Sequence, residues 1–332
     1  DAVYLMPMYY SEISAAKKLL ELSFYTEDMD VKEIETKIDE AEDRTGISLA
    51  KQQRQAVREA LREGVLVITG GPGTGKTTII HTIIQIFSSM GKKAVLAAPT
   101  GRAAKRMTET SGEEAKTIHR LLGVAYSDEE NGRQKFEKDE SDPIEADVVI
   151  IDEVSMVDMQ LFNSLLKAIG PGTRLILVGD SSQLPSVAAG NVLKDIIKSG
   201  RIKTVRLTEI FRQARESAII MNAHRINEGI EPVMNGQNTD FFFVNAPYIR
   251  EIPAKIVELV TKRLPGFTGA DPFTDMQVLT PMRKGDIGAA GLNRTLREAL
   301  NPPSPQKAEY ETNNGFFREG DKVMQIKNNY NT

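Results

Sequence analysis

The chain has 332 residues, 40% hydrophobic and 27% charged, which excludes disordered, collagen-like and coiled-coil classes and leaves room for two domains. Cysteine is absent and histidine occurs only as His81, His119 and His224, so disulfides, thiolate zinc sites, cysteine nucleophiles and multi-histidine metal sites are all disfavoured. The net charge of −4 decides nothing about nucleic acid, because residues 1–50 hold 12 acidic and 5 basic side chains and the rest is mildly basic.

The uncharged stretches, such as 64–75, fall short of the roughly 20 apolar residues of a membrane helix. No charged-then-apolar leader opens the chain, and the expected compartment is the cytoplasm. Residues 1–50 read as an acidic helical lead-in with a solvated surface. Ile13, Ala16, Leu19 and Leu20 fall at helical spacing there, and an acidic helix follows over 31–43. From residue 51 the pattern alternates: a helix over 51–62, the apolar run 65–69, a glycine-rich turn and a helix from Lys76. Further short β-rich runs follow at 94–98, 148–151 and 175–178. Continuous apolar strands alternating with helices predict a parallel sheet covered on both faces, an α/β class.

Between 122 and 144 the chain turns hydrophilic, and Asn131-Gly132 between two short strand-like pieces favours a hairpin. After about residue 200 a second αβ pattern begins, with 205–207, a helix over 215–228, the run 241–244, a helix over 252–263 and the run 277–279. The expected division is 1–50, 51–200 with a hairpin insertion at about 123–145, and 201–332.

Gly70-Gly71-Pro72-Gly73-Thr74-Gly75-Lys76-Thr77 fits G-x-x-x-x-G-K-[ST] between a strand and a helix. Glycines let backbone N–H groups wrap phosphates, and the helix N-terminus adds a favourable dipole. Lys76 is expected to reach the β/γ-phosphates and the Thr77 hydroxyl to ligate Mg²⁺, with Thr78 completing the nucleotide-binding set. The run 148–151 ends in Asp152-Glu153, placing Asp152 toward the metal and Glu153 at the attacking water. No Asn/Thr-Lys-x-Asp guanine signature follows the phosphate loop, so ATP is the expected nucleotide. Gly179-Asp180-Ser181-Ser182-Gln183 ends another strand, where Gln183 can bond the γ-phosphate or its water.

Taken together, Gly70–Thr77, Asp152-Glu153-Val154-Ser155-Met156 and Gly179-Asp180 with Gln183-Leu184-Pro185 resemble motifs I, II and III of superfamily 1 helicases. Thr208-Glu209-Ile210-Phe211-Arg212-Gln213 resembles motif IV. Val278–Gly285 with Leu292-Asn293, and Gly320–Gln325 with Asn328-Asn329-Tyr330, resemble the RecD/TraA branch. The resemblance runs from about residue 45 to the end. It implies a RecA-like P-loop NTPase domain followed by a second, incomplete RecA-like domain, a requirement for ATP and Mg²⁺, and 5′-to-3′ movement on single-stranded DNA. It also implies that Gln53 reads adenine (with Gln52 and Gln55 competing for that role) and that Arg212 reaches the γ-phosphate. Thr100, Arg102 and Lys105 resemble motif Ia, expected on the DNA backbone together with His119. His81 and His224 are left as ordinary helix residues. The hairpin at 123–145 falls where the family inserts its strand-parting pin.

Two late superfamily 1 motifs, one with a further catalytic arginine, have no counterpart, and both ends are expected to be cut from a longer protein. Two other readings stay open: a nucleotide switch without unwinding, and the motor part of a TraA-type relaxase. A monomer is expected, with a RecB-like subunit as the candidate partner.

Overall fold

The computed structural model describes residues 3–26, 29–125, 135–234, 236, 239–312 and 315–324. The chain divides into two compact units, residues 1–242 and 243–332.

The first unit opens with helices α1 (Met6–Ser23), α2 (Val31–Thr45) and α3 (Lys51–Arg62). It continues through β1 (Val65–Gly70), α4 (Lys76–Ser89), β2 (Ala94–Ala98), α5 (Gly101–Ser111), β3 (Ala115–Thr117) and α6 (Ile118–Leu122). After the short strands β4 (Val124–Ala125) and β5 (Lys135–Phe136) come β6 (Val148–Ile151), α7 (Met159–Lys167) and β7 (Arg174–Gly179). The unit closes with α8 (Val192–Ser199), β8 (Lys203–Leu207), α9 (Arg212–Arg215) and α10 (Ala218–Asn227). Six strands form one parallel sheet in the order β3-β2-β6-β7-β1-β8. This is the RecA-like P-loop architecture.

Both sheet faces are covered because consecutive strand residues point to opposite layers. Val65, Val67, Val149, Ile151, Leu175 and Leu177 pack with Leu19 and Leu22 of α1 and with Phe162 and Leu165 of α7. Leu66, Ile68, Val148, Ile150, Ile176 and Val178 pack with Ile34 and Ile38 of α2 and with Ile79 and Ile83 of α4. The lead-in is therefore part of the core rather than a solvated preface. Ile34, Ile38 and Ala41 form one fully buried stripe at i, i+4 and i+7, which the surrounding acids hide in a charge count. On α1 the buried positions are Ala15, Leu19 and Leu22, while Ala16 and Leu20 face out.

The acids of α2 have a structural use. Arg54 of α3 bonds Glu35 at 2.8 Å and Asp39 at 2.7 Å and also pairs with Glu42, while Arg58 shares Glu35. The Arg54 hydrogen bond holds the Glu35 carboxyl below its ordinary value of 4.5. Arg54→Met is expected to cost roughly 1–3 kcal/mol, more than an isolated surface pair, because one half-buried cation serves three carboxylates. A folded-state pKa below the unfolded one stabilises above the unfolded value and is lost as pH falls through the lowered one. Thermal melts of the two proteins should thus differ most near neutral pH and converge in acid, once pH falls below the lowered Glu35 value.

Two sequence expectations change. Residues 203–207, assigned from the sequence to the second αβ pattern, are the edge strand beside β1. The runs 241–244 and 277–279, expected as strands, carry no strand, since apolar β-propensity becomes strand only where a ladder forms. Where a hairpin is expected, Val124 pairs with Phe136 and Ala125 with Lys135, antiparallel, while the Asn131-Gly132 turn lies outside the described residues.

The second unit holds α11 (Ile252–Glu258), running through a π-turn at Leu259–Arg263 into α12 (Leu264–Thr268), then α13 (Ala289–Leu300). It ends in the antiparallel pair β9 (Glu309–Thr312) and β10 (Gly315–Arg318). Arg318 is buried there, donating to Glu309 at 2.7 Å and to the Asn301 carbonyl at 2.6 Å. Gln325, Asn328, Asn329 and Tyr330 lie outside the described residues. Among the described residues, no helix is long and apolar enough to cross a membrane.

Candidate functional site

The parallel sheet delivers every first-unit motif to one edge, the carboxyl ends of its strands, which is where α/β sheets build their sites. Gly70 ends β1 and leads into the phosphate loop; Asp152 follows β6, Asp180 follows β7 and Thr208 follows β8.

The loop wraps tightly because Gly73 and Gly75 adopt φ of 74° and 77°. Thr74 is buried and donates its hydroxyl to the Gly71 carbonyl at 2.8 Å, while Thr77 at the start of α4 is exposed and Thr78 half-buried. Lys76 Nζ donates to the carbonyls of Gly70 at 2.6 Å and Gly71 at 3.0 Å. Burial pushes the Lys76 ammonium below its ordinary value against the pull of Asp180, Asp152 and Glu153. An alanine at Gly75 would place its Cβ 2.2 Å from Gln53 Nε2 in a left-handed backbone. Gly75→Ala should destabilise by roughly 1–3 kcal/mol and displace Gln53, read as a lower melting temperature with weakened nucleotide binding.

That approach separates the three candidate glutamines. Gln53 is buried, accepts from the Ala50 N–H at 3.0 Å and presses its amide on the loop. Gln52 instead donates to Thr208 Oγ1 at 2.9 Å and accepts from the Thr208 N–H at 2.8 Å. Gln55 is exposed.

The acids carry the clearest sign of function. Burial, the largest influence, raises both carboxyls, and Asp152 raises Glu153 further. Asp152 Oδ1 accepts from the Glu153 N–H at 2.8 Å. Glu153 has φ 55° and ψ 39°, the one non-glycine with positive φ among the described residues. Such a residue costs of order 1–3 kcal/mol and persists where its surroundings impose it, typically at working sites. Its Oε2 is buried without a hydrogen-bond partner. An isolated carboxylate oxygen held this way is placed to accept a proton.

Gln183 is exposed and accepts from Ser155 Oγ at 3.4 Å, tying the third motif to the turn after Glu153. Arg212 opens α9, and its side chain lies outside the described set. In motif Ia, Thr100 Oγ1 caps α5 by accepting from the Ala103 N–H at 3.2 Å, and Arg102 and Lys105 are exposed, Lys105 lying 3.8 Å from Glu109. His119 is half-buried, its ring 5.9 Å from that of Phe136 on the hairpin, and burial lowers its pKa.

Two participants escaped the sequence reading. Arg106 of α5 lies close enough to Lys76, Asp152 and Glu153 to influence all three electrostatically. Its i+4 spacing from Arg102 was the available signal. His224 is no ordinary helix residue, for its Nε2 lies 3.0 Å from the Pro72 carbonyl in the phosphate loop. Nothing in its sequence neighbourhood signals that contact.

Among the described residues, no cluster of three or more acidic or histidine side chains is placed to hold a metal. The hydroxyl of Thr77 and the carboxylate of Asp152 are hard oxygen donors. That donor set suits Mg²⁺, which keeps waters and phosphate oxygens in its shell rather than an all-protein cage.

The chain is similar to several known proteins. Residues 53–189 match the family profile described as "AAA domain", and residues 292–332 match "ATP-dependent RecD-like DNA helicase SH3 domain". The chain is 38% identical over 283 residues to the ATP-dependent RecD2 DNA helicase of Deinococcus radiodurans, covering 85% of this chain and 36% of that one. It is 39% identical over 169 residues to the RecBCD enzyme subunit RecD of Mycobacterium tuberculosis, covering 44% of this chain and 28% of that one. The crystal structure of a Pif1 helicase from Bacteroides in complex with ADP-AlF3 and ssDNA aligns with a TM-score of 0.41 and 17% identity, over 80% of this chain and 61% of that one. The chain thus spans about a third of the length of the curated relatives it matches.

Proposed function

We propose, from the kinship of this chain with RecD-type helicases, that it is the ATP-hydrolysing core of a DNA helicase motor moving 5′ to 3′ on single-stranded DNA in repair or recombination. The observation that carries the reading is Glu153, strained and half-buried with a buried, unpartnered Oε2, next to Asp152 and within electrostatic reach of Lys76. Strain and isolated charge at one point are costly, and hydrolysis explains why both are kept.

In this reading Gly70–Thr78 cradle the phosphates, Lys76 leaves the Gly70 and Gly71 carbonyls for the β/γ-oxygens, and Gln53 reads adenine. Thr77 and Asp152 would hold Mg²⁺, which when bound offsets the phosphate charge. Glu153 takes the proton of the attacking water, and the raised pKa that burial gives it makes it the stronger base. Gln183 senses the γ-phosphate and passes its state to Ser155, and Arg212 supplies the cation for the transition state. Thr100, Arg102, Lys105 and His119 form the DNA side, where the exposed cations track phosphates and His119 sits at the base of the hairpin pin.

The second unit is read as part of the next motor domain, with 292–332 similar to the SH3 domain of RecD-like helicases. The motor acts in the cytoplasm as a monomer.

Strand displacement by the intact protein on fluorescent duplexes with a 5′ or a 3′ single-stranded tail tests the proposal. ATP-dependent displacement of the 5′-tailed duplex is expected. Displacement from the 3′ tail alone would overturn the polarity, and nucleotide binding without displacement would leave the switch reading.

A further inference from the structure

Helix α10 touches two motifs, the phosphate loop and the loop before Gln183. Ile220, His224 and Asn227 recur at i, i+4 and i+7, so they share one face. Ile220 packs at Gly73, where an added Cβ would lie 3.3 Å from its Cγ2. The His224 ring fills the space over Gly71, leaving 2.5 Å between its Cε1 and any Cβ built there. Its Nε2 is 3.0 Å from the Pro72 carbonyl, and since a carbonyl only accepts, Nε2 carries the proton. One turn on, Asn227 Nδ2 donates to Ser182 Oγ at 2.9 Å, next to Gln183.

The rest of the helix is anchored. Ser217 caps it by accepting from the Ile220 N–H and is itself bonded to Asp240 at 2.6 Å. The buried Asn222 holds both backbone groups of Val233, at 2.7 Å and 2.8 Å. A helix tied by these bonds to the segment that follows it, with one donor on each of two loops, can carry a displacement of one loop to the other.

We infer that α10 is a rigid strut in which His224 and Asn227 are positioning residues, coupling the phosphate loop to the Gln183 loop. The inference rests on the nucleotide-site reading above and adds a route by which occupancy of the phosphate loop reaches the sensing loop without the γ-phosphate.

Hydrogen exchange of residues 180–187 in this chain, with and without Mg-ADP, tests it. ADP lacks the γ-phosphate that Gln183 would touch, so protection of that loop must arrive through the protein. Wild type is expected to show ADP-dependent protection. Asn227→Ala and Ser182→Ala should lose it while binding fluorescent ADP within about twofold of wild type. His224→Ala should lose the protection and bind about 3- to 10-fold more weakly, the worth of one hydrogen bond. His224→Gln, whose amide can still donate to Pro72, should recover part of both. Equal protection in Asn227→Ala and wild type, or ADP binding by wild type with no change at 180–187, would overturn the strut. Failure of wild type to bind ADP would overturn the nucleotide site itself, and the strut with it.

Discussion

Glu153→Gln is expected to keep Mg-ATP bound at near wild-type affinity and to hydrolyse it about 10²- to 10⁴-fold more slowly, the usual worth of a positioned general base. The amide matches the carboxylate in size, so the left-handed turn at 153 and its bond to Asp152 survive. What is lost is the buried Oε2 that has no partner of its own. Single-turnover hydrolysis beside fluorescent-nucleotide binding separates the two effects. Loss of binding with the residual rate intact would mean that Asp152 and Glu153 exchange roles.

Lys76→Ala should weaken ATP binding on the order of 10²-fold and take hydrolysis below detection, because charge-assisted bonds to phosphate are among the stronger ones. The fold should persist with a small change in melting temperature. Lys76 is half-buried and, among the described residues, donates to the loop carbonyls of Gly70 and Gly71, so no core volume changes. Isothermal titration with ATP and a thermal melt of the same sample check both statements. Wild-type affinity in this variant would remove the phosphate-loop assignment.

The parts of this molecule that were legible in the sequence share a physical cause. Strands buried on both faces must be continuously apolar, so 65–69, 148–151 and 175–178 announced themselves, and the helices at 51–62 and from Lys76 followed. The phosphate loop and Asp152-Glu153 stand out in the sequence because each follows an apolar strand at a fixed spacing, and the structure places both at strand ends. The failures are those of tertiary context. The buried stripe of α2 was masked by acids that turn out to serve Arg54. The strand at 203–207 looked like the start of a new domain because register, not composition, placed it beside β1. His224 reads as any helical histidine until α10 lays it across Gly71 and Pro72. The burial of Gln53 against Gly75, which sets it apart from Gln52 and Gln55, depends on tertiary packing, and the strain at Glu153 has no sequence signature at all.

The central claim is that ATP hydrolysis at this loop drives movement on DNA. Steady-state ATP hydrolysis by the intact protein, measured with and without single-stranded DNA and alongside its Lys76→Ala variant, tests it most directly. The account predicts hydrolysis that single-stranded DNA stimulates strongly and that the variant lacks in both conditions. Hydrolysis indifferent to single-stranded DNA, or surviving in Lys76→Ala, would contradict it.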